Sequence, residues 1–162
     1  MPPIADARAR VLVLGSLPGV QSLREQRYYA HPRNHFWWVM DQVFAIPVAL
    51  PYAARVQELQ SHGVAVWDVL ASGVRQGSLD SAIELASARV NDFPALLDAL
   101  PRLQRIVFNG ALAEALFQRH VVPTLPTDLA ALPRLRLPST SPANASVPAD
   151  QKLARWRQAL EP

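Results

Sequence analysis

Short apolar runs alternate with longer amphipathic stretches along this chain. Four of the runs are brief and built around valine, isoleucine or leucine, which predicts buried strands. They lie at residues 11–14, 64–69, 105–108 and 134–137. Between them apolar residues recur every three or four positions, which predicts helices. These lie at residues 36–44, 51–62, 81–87, 92–100 and 111–120, with a last helix that carries Leu153, Trp156 and Leu160 on one face.

Strands that alternate with helices favour a parallel sheet covered on both sides. The expected fold is α/β: a single three-layer α/β/α domain over residues 1–162, with a central, mainly parallel four-stranded sheet. Parallel strands share one carboxyl edge, and open α/β sheets bind their ligands there. Four segments should therefore converge although they are distant in the chain, namely residues 16–34, Asp68, Asn109 and residues 139–146.

The connections between these elements are read as loops. Residues 22–33, 72–78, 121–133 and 138–147 are rich in polar residues, glycine or proline. Asn91 is the expected N-cap of the helix over residues 92–100. The first loop ends in a dense polar and aromatic cluster made of Tyr28, Tyr29, His31, Arg33, Asn34 and His35.

Composition narrows the function by exclusion. The chain has no cysteine, which excludes disulfides, a thiolate nucleophile and a thiolate metal site. No apolar run is long enough to cross a bilayer, and residues 1–10 do not form a signal segment. The four histidines show no metal-ligand spacing with carboxylates. We therefore expect a cytoplasmic protein with no membrane partner, no metal and no cofactor.

The charge is mildly basic. The net charge is +3, and fifteen of the sixteen cationic residues are arginines, Lys152 being the only lysine. Arginine forks suit phosphate groups and favour a nucleic-acid partner. GC-rich codon usage explains the same composition, and the arginines are scattered along the chain. Charge alone does not establish DNA binding.

Two motifs bracket the chain and resemble one family. The first reads GSLPG at residues 15–19 and YAHPRNHFW at residues 29–37; the second reads LPSTSPAN at residues 137–144. WDV at residues 67–69 and FNG at residues 108–110 fit the same pattern more loosely. They resemble the mismatch-specific uracil/thymine DNA glycosylases and, more closely, the hypoxanthine-DNA glycosylase branch of the uracil-DNA glycosylase superfamily.

The resemblance implies a function and a partner. We expect a monofunctional DNA glycosylase that flips a deaminated base out of double-stranded DNA and removes it by hydrolysis, as a monomer. Hypoxanthine is the first expected substrate and uracil the second. Neither motif contains a lysine, so strand cleavage through a Schiff base is not expected.

One departure selects between the branches. The mismatch enzymes carry an asparagine before the proline of the first turn, where it positions the attacking water; this chain has Leu17 there. The hypoxanthine branch is thought to use a downstream asparagine, which corresponds to Asn34. An asparagine just before an apolar helical series is also a good N-cap, and both roles are compatible.

The resemblance assigns further roles, each beside a plain structural alternative. Tyr29 is the expected platform for the flipped base, or packing within the loop. Asp68 is the expected reader of the base edge, because a carboxylate accepts the ring N–H of hypoxanthine or uracil, or it is a loop cap. His31 is the second expected catalytic group, as a donor to the departing base or a phosphate, or a structural hydrogen bonder. Asn109 either contacts the base or belongs to an Asn-Gly turn.

The remaining candidates complete the expected site. Gly15 and Ser16 are expected to bind the base. DNA contacts are expected from Ser22, Arg33, Ser139, Thr140, Ser141, Ala143 and Asn144. Ala143 falls near the position at which related enzymes insert an apolar wedge into the duplex, and its small side chain argues against deep insertion.

Three other functions compete with this prediction. A damaged-DNA binding module without catalysis would bind damaged duplex and release no base. A mismatch-specific uracil/thymine glycosylase is disfavoured by Leu17. A nucleotide-binding or hydrolytic α/β enzyme that uses Ser16 ranks last, because the turn is not a Gly-x-Ser-x-Gly elbow and no Ser-His-Asp order is present.

Overall fold

The computed structural model describes residues 1–161 and contains six strands and seven α-helices in that range. The strands are β1 (Val11–Gly15), β2 (Val64–Asp68), β3 (Leu70–Arg75), β4 (Ile83–Val90), β5 (Arg105–Asn109) and β6 (Arg134–Leu137). The helices are α1 (Val20–Glu25), α2 (Phe36–Phe44), α3 (Tyr52–Ser61), α4 (Phe93–Asp98), α5 (Ala111–His120), α6 (Thr127–Ala130) and α7 (Ala149–Leu160). No helix in the described range combines the length and the apolar character needed to cross a membrane.

The central sheet has the strand order β2-β1-β5-β6, and all three pairings are parallel. The four strands predicted from the apolar runs are confirmed as this sheet. Its register sets the site, because Gly15 lies opposite Asp68 and Asn109 lies opposite Leu137. All four strands of the central sheet therefore end at the same edge, as predicted.

One face of the sheet is covered through an aromatic cluster. Trp67 and Phe108 both lie opposite Leu14 in the register, so their side chains project from the same face. Phe93 of α4 lies 5.2 Å from Trp67 between ring centroids, and Phe117 of α5 lies 5.4 Å from Phe108. Burial of these rings supplies a large apolar area and holds α4 and α5 on the sheet.

Helices α2 and α7 pack together and complete the three-layer α/β/α fold. Phe36 at the start of α2 and Trp156 in α7 are fully buried, and their ring centroids lie 6.2 Å apart with the rings edge to face. The Trp156 indole N–H donates to the Pro138 carbonyl at 3.0 Å. This contact ties α7 to the loop that follows β6.

The prediction for the segment after β2 is wrong. Residues 72–78 and 81–87, read as a loop and a helix, belong to an antiparallel pair formed by β3 and β4. Alanine, glutamate and leucine in β4 favour helix locally, but tertiary pairing overrides that preference. Most β4 side chains are exposed or only partly buried, so no clear alternation marks the strand.

Smaller corrections concern element ends. The first loop contains a short helix, α1, and the connection over residues 121–133 contains the short helix α6. Asp92 caps α4, since its carboxylate accepts from the Ala95 N–H at 3.2 Å. The predicted cap, Asn91, instead donates its side-chain N–H to the Asp68 carbonyl at 2.8 Å. Asn91 therefore supports the end of β2.

Candidate active site

A cleft of about 720 Å³ opens at the carboxyl edge of the sheet. Four segments line it: the turn over residues 15–19, the loop over residues 28–34, the tip of the β3–β4 hairpin and the segment over residues 136–144. Asp68 and Asn109 stand between them at the ends of β2 and β5. The predicted convergence of distant segments is confirmed by this arrangement.

Asp68 forms the floor of the cleft. Its side chain is 6% exposed, and one carboxylate oxygen, Oδ2, is buried without a hydrogen-bond partner. The other oxygen, Oδ1, lies over Gly15, where an added Cβ would approach it to 2.5 Å. Only glycine leaves room for a carboxyl group there, so Gly15 shapes the floor by having no side chain.

The surroundings of Asp68 make ionisation costly. Burial raises the pKa of the Asp68 carboxyl from 3.8 to about 7, with the charge of Asp80 adding to the rise. The amino terminus and Arg75 act in the opposite direction. Both protonation states are therefore populated near neutral pH. A buried acceptor without a partner is unusual in proteins and is typical of a site that awaits a ligand.

Tyr29 stands beside this carboxyl group in a strained backbone conformation. Its φ angle is +55°, which a non-glycine residue rarely adopts. One face of its ring stacks on Phe36, with centroids 4.1 Å apart and planes inclined by 22°. Burial, followed by the charge of Asp68, raises the pKa of the Tyr29 phenol, which is therefore neutral. Only the face turned away from Phe36 is free to stack on a ligand.

Tyr28 has a different role from its neighbour. Its ring is buried, and its hydroxyl donates to the Pro2 carbonyl at 2.8 Å. Its backbone N–H donates to the Tyr52 hydroxyl at 2.9 Å. Tyr28 therefore anchors the loop.

Asn34 and His31 both line the cleft. The N-cap residue of α2 is His35, one position after the predicted Asn34. The Asn34 Oδ1 nevertheless accepts the Phe36 N–H at 2.9 Å, so this side chain caps the first N–H group of α2 from one residue further out. An amide oxygen has two lone pairs, and the capping bond leaves one of them available to a water. The His31 Nδ1 accepts the Arg33 N–H at 3.1 Å. In neutral His31 the proton therefore resides on Nε2, which can donate to a ligand.

Asn109 joins the ends of two strands. Its side-chain N–H donates to the Thr140 hydroxyl at 2.9 Å, and its Oδ1 accepts the Thr140 N–H at 2.8 Å. Thr140 is fully buried. Thr140 therefore positions the loop through these bonds, and its direct contact with DNA stays a prediction. Asn109 borders the cleft. This pair of bonds fixes the orientation of its amide group and leaves one N–H and one oxygen lone pair unused.

The loop over residues 139–147 is stiffened from within and from below. The hydroxyls of Ser139 and Ser141 accept the N–H groups of Ser141 and Ala143 at 3.2 and 3.3 Å. The Asn144 side chain donates to the Ser139 carbonyl at 3.1 Å. Beneath the loop, the buried Lys152 ammonium donates to the Asn144 carbonyl at 2.7 Å. Ala143 is exposed at the cleft and adds little bulk.

The hairpin tip, defined as residues 76–82, is fastened to the first turn. The Ser16 hydroxyl donates to the Asp80 carboxylate at 2.5 Å, and the Ser78 hydroxyl accepts the Val20 N–H at 3.0 Å. Arg75 donates to the Pro18 carbonyl. The predicted base-binding Ser16 is thus engaged with Asp80. The tip brings Leu79 and Asp80 to the cleft, which the sequence prediction missed with the hairpin itself.

Of the other predicted DNA contacts, Ser22 lies at the cleft and Arg33 lies outside it. Ser22 is buried at the cleft, and its hydroxyl accepts the Ala30 N–H at 3.2 Å, which closes the first loop. Arg33 is exposed and does not line the cleft. Two arginines that the prediction did not select, Arg136 and Arg155, do line it. Arg136 immediately precedes the second motif and Arg155 follows it, and this proximity could have marked both as cleft residues. They did not stand out because arginines are scattered along the whole chain.

Within residues 1–161, no three histidine, aspartate or glutamate side chains are grouped as a metal ion would require. The polar groups of the cleft are the carboxyl groups of Asp68 and Asp80, amides, hydroxyls, an imidazole and the guanidinium groups of Arg136 and Arg155. Together with the fold, they define an α/β enzyme whose ligand site lies at the carboxyl edge of a parallel sheet.

Comparisons with known proteins identify the family. A family model described as the uracil DNA glycosylase superfamily matches residues 2–161. A protein of Methanosarcina barkeri named hypoxanthine DNA glycosylase is 36% identical over 110 residues, which cover 67% of this chain and 68% of that protein. A Methanosarcina acetivorans protein of the same name is 35% identical over 113 residues, covering 69% and 70%.

A solved structure agrees. The solution NMR structure of a candidate uracil DNA glycosylase from Methanosarcina acetivorans matches with a TM-score of 0.81 and 29% sequence identity, covering 98% of this chain and 93% of that one. The chain belongs to the uracil DNA glycosylase superfamily, and it is a DNA glycosylase. The resemblance stated from its motifs is thereby confirmed.

The raised pKa of Asp68 predicts a pH dependence of stability. A carboxyl group whose pKa is higher in the folded chain binds its proton more tightly there, so its contribution to stability is greatest below pH 3.8 and is lost as the pH rises through about 7. Asp68→Asn removes this titration. The free energy of unfolding of the variant should therefore rise relative to wild type between these pH values, by on the order of 4 kcal/mol.

Urea denaturation at a series of pH values measures this difference. The exposed Asp98→Asn is the matched control and should show no comparable trend. A difference between Asp68→Asn and wild type that stays constant with pH would mean that Asp68 ionises as an ordinary surface carboxylate does.

Proposed function

We propose that this enzyme removes hypoxanthine from double-stranded DNA by hydrolysis, with uracil as a second substrate. The observation that carries the proposal is the buried Asp68 carboxyl group, whose Oδ2 has no hydrogen-bond partner and which lies with the Tyr29 hydroxyl over Gly15. Similarity to two proteins named hypoxanthine DNA glycosylase supports the choice of base. The target nucleotide would leave the helix stack and enter the cleft, as enzymes acting on bases within a duplex require.

Asp68 would select the base by hydrogen bonding. Hypoxanthine and uracil each present a ring N–H beside a carbonyl oxygen, and an ionised carboxylate accepts that N–H. Adenine presents a bare acceptor nitrogen at the same position. It would leave the buried charge of Asp68 unpaired, and this penalty excludes the normal base.

Asn34 would orient the water that attacks C1′. Its Oδ1 is held in place by the bond to the Phe36 N–H, and the second lone pair of this oxygen would accept a hydrogen bond from the water. Leu17 lines the cleft and packs against the hydrophobic core, without a polar group to share this task. A fixed dipole of this kind acts without reorganisation as charge develops in the transition state.

His31 would assist departure of the base. As the glycosidic bond breaks, electrons accumulate on the leaving base, and a donor near it stabilises the product. His31 can donate through Nε2 because Nδ1 accepts the Arg33 N–H. The resulting reaction is hydrolysis, in which water adds to C1′ and the base leaves with its bonding electrons and a proton.

The proposal is tested by base release from labelled duplexes that carry inosine, uracil, xanthine, a G·T mismatch or undamaged DNA. Alkali cleavage of the resulting abasic sites should give the highest rate for inosine, a lower rate for uracil and none for undamaged DNA. High affinity for the inosine duplex without release would support a binding module instead. Preference for the G·T mismatch would support the mismatch branch.

Asn34→Ala should slow hypoxanthine release by about two to three orders of magnitude, the effect of losing one transition-state dipole. The loss of the capping bond should reduce the stability of the protein by only about 1 kcal/mol. Single-turnover release at saturating enzyme measures the first effect, and thermal unfolding measures the second.

Asn34→Ser separates the two roles of Asn34. Serine retains the ability to cap α2 but does not reach as far into the cleft. The stability of this variant should return towards that of wild type while release stays slow. Recovery of the rate together with the stability would assign Asn34 to capping alone.

Asp68→Asn should weaken release of hypoxanthine and relax the discrimination against adenine. The free-energy preference for hypoxanthine over adenine should fall by the worth of one base-edge contact, about 1–3 kcal/mol. In wild type, release should fall with decreasing pH below about 7, since protonation removes the negative charge that strengthens the hydrogen bond from the ring N–H. In Asp68→Asn this acidic limb should be absent. An unchanged pH profile and an unchanged base preference would show that the base is read elsewhere.

A further inference from the structure

A second cavity, of about 240 Å³, lies on the other side of the loop over residues 28–34. We call it the side cavity. Tyr28, Tyr29, His31 and Asn34 line both spaces, so this one loop separates the side cavity from the cleft. The walls of the side cavity that are not shared are aromatic and cationic, and they include Trp37, Tyr52, Arg27 and Arg55.

Arg55 is held in the side cavity by stacking. Its guanidinium carbon lies 4.5 Å from the centroid of the Trp37 ring and 5.6 Å from that of Tyr52. The face of the guanidinium group is thereby covered, and its N–H groups point outward in the plane. The Arg55 Nε is buried and has no hydrogen-bond partner. A buried donor left unpaired costs about 1–3 kcal/mol, so a ligand that accepts from it would be stabilising.

Arg27 adds a second positive charge. Its guanidinium carbon lies 5.7 Å from the centroid of the Tyr52 ring, the ring that Arg55 also approaches. Burial and the charge of Arg27 both lower the pKa of Arg55, although the Tyr52 phenol opposes them. Within residues 1–161, neither arginine forms a salt bridge. Arg27 and Arg55 repel each other across the Tyr52 ring, and a bound anion would offset this repulsion.

The one carboxylate that lines the side cavity in the described part of the chain has other partners. Glu25 lines the cavity, but its Oε1 accepts from the Gln21 side chain at 2.9 Å and lies 3.9 Å from the Arg24 guanidinium. His31 adds no negative charge. The side cavity thus has two cations and one carboxylate that is engaged along α1.

We infer that the side cavity is a phosphate-binding site for Arg27 and Arg55, occupied by a backbone phosphate of the damaged strand while the flipped base fills the cleft. Planar guanidinium forks match the oxygens of phosphate, and an oxygen acceptor would satisfy the Arg55 Nε. A phosphate held there would brace the far side of the loop that carries Tyr29 and Asn34. The inference rests on the proposed function, because a base in the cleft would bring its strand close to the loop that the cleft and the side cavity share.

The salt dependence of binding tests the inference. Each phosphate neutralised by the protein contributes about 0.9 to the slope of log K against log salt concentration. The affinity of Arg27→Gln/Arg55→Gln for a duplex with a stable abasic analogue should show a slope smaller than that of wild type by about that amount. Arg27→Gln alone should change the slope in the same direction, and its exposed position makes loss of folding no explanation.

Arg102→Gln is the control for Arg27→Gln, because each of these variants removes one positive charge. Arg102 is exposed and follows α4 just before β5, at the sheet edge opposite the cleft. The slope of log K against log salt concentration for Arg102→Gln should equal that of wild type. An unchanged slope in the double variant, or a reduction in Arg102→Gln equal to that in Arg27→Gln, would overturn the inference.

Inorganic phosphate serves as a probe for the source of the ligand. In ¹⁵N NMR spectra of the full chain, it should shift the Arg55 Nε–H signal, and prior addition of the abasic duplex should abolish this shift. A shift that persists in the presence of duplex would assign the site to free phosphate and overturn the backbone role. No shift with either phosphate or duplex would remove the site altogether.

These results are separable from the proposed function. If hypoxanthine is released from the inosine duplex but the salt slopes are unchanged, the phosphate site fails and the glycosylase proposal stands. If the slopes change but no hypoxanthine is released, the proposed substrate fails and the phosphate contact stands.

Discussion

A carboxyl group buried without a partner is the constraint around which this active site is arranged. Asp68 ends β2 directly opposite Gly15 of β1, and the parallel register places its Oδ1 against the glycine backbone. Burial in this position opposes ionisation. The protein therefore sacrifices stability to maintain an acceptor that only a ligand satisfies, as functional sites commonly do.

The segments around Asp68 are fixed to one another by tertiary hydrogen bonds. Asn109 holds Thr140 by two bonds, and the Thr140 carbonyl in turn accepts the His35 N–H at 2.9 Å. Ser16 and Asp80 join the first turn to the hairpin tip. These links connect loops from β1, β3, β5 and β6. A site held in this way is preorganised, so little motion is needed when a base enters.

The sequence allowed the central sheet and its ligand edge to be predicted, because each of its strands is a compact apolar run. It did not reveal the β3–β4 hairpin, whose side chains are largely exposed and whose alanines and glutamate favour helix. The same limit affected the site. Tyr29 and Asn34 lie in the first motif and Asp68 ends a predicted strand, so all three were selected; Asp80 lies in the hairpin and was missed. The engagement of Thr140 with Asn109 depends on pairing across 31 positions, which no local pattern encodes.

The titration of Asp68 itself is the most direct test of this account. In ¹³C-labelled protein, the carboxyl carbon should titrate near pH 7 rather than near 3.8. Addition of an abasic duplex with free hypoxanthine should lower that pKa, because the ring N–H pairs with the ionised form. Titration near 3.8 in the free protein, or a pKa that hypoxanthine leaves unchanged, would contradict the role assigned to Asp68.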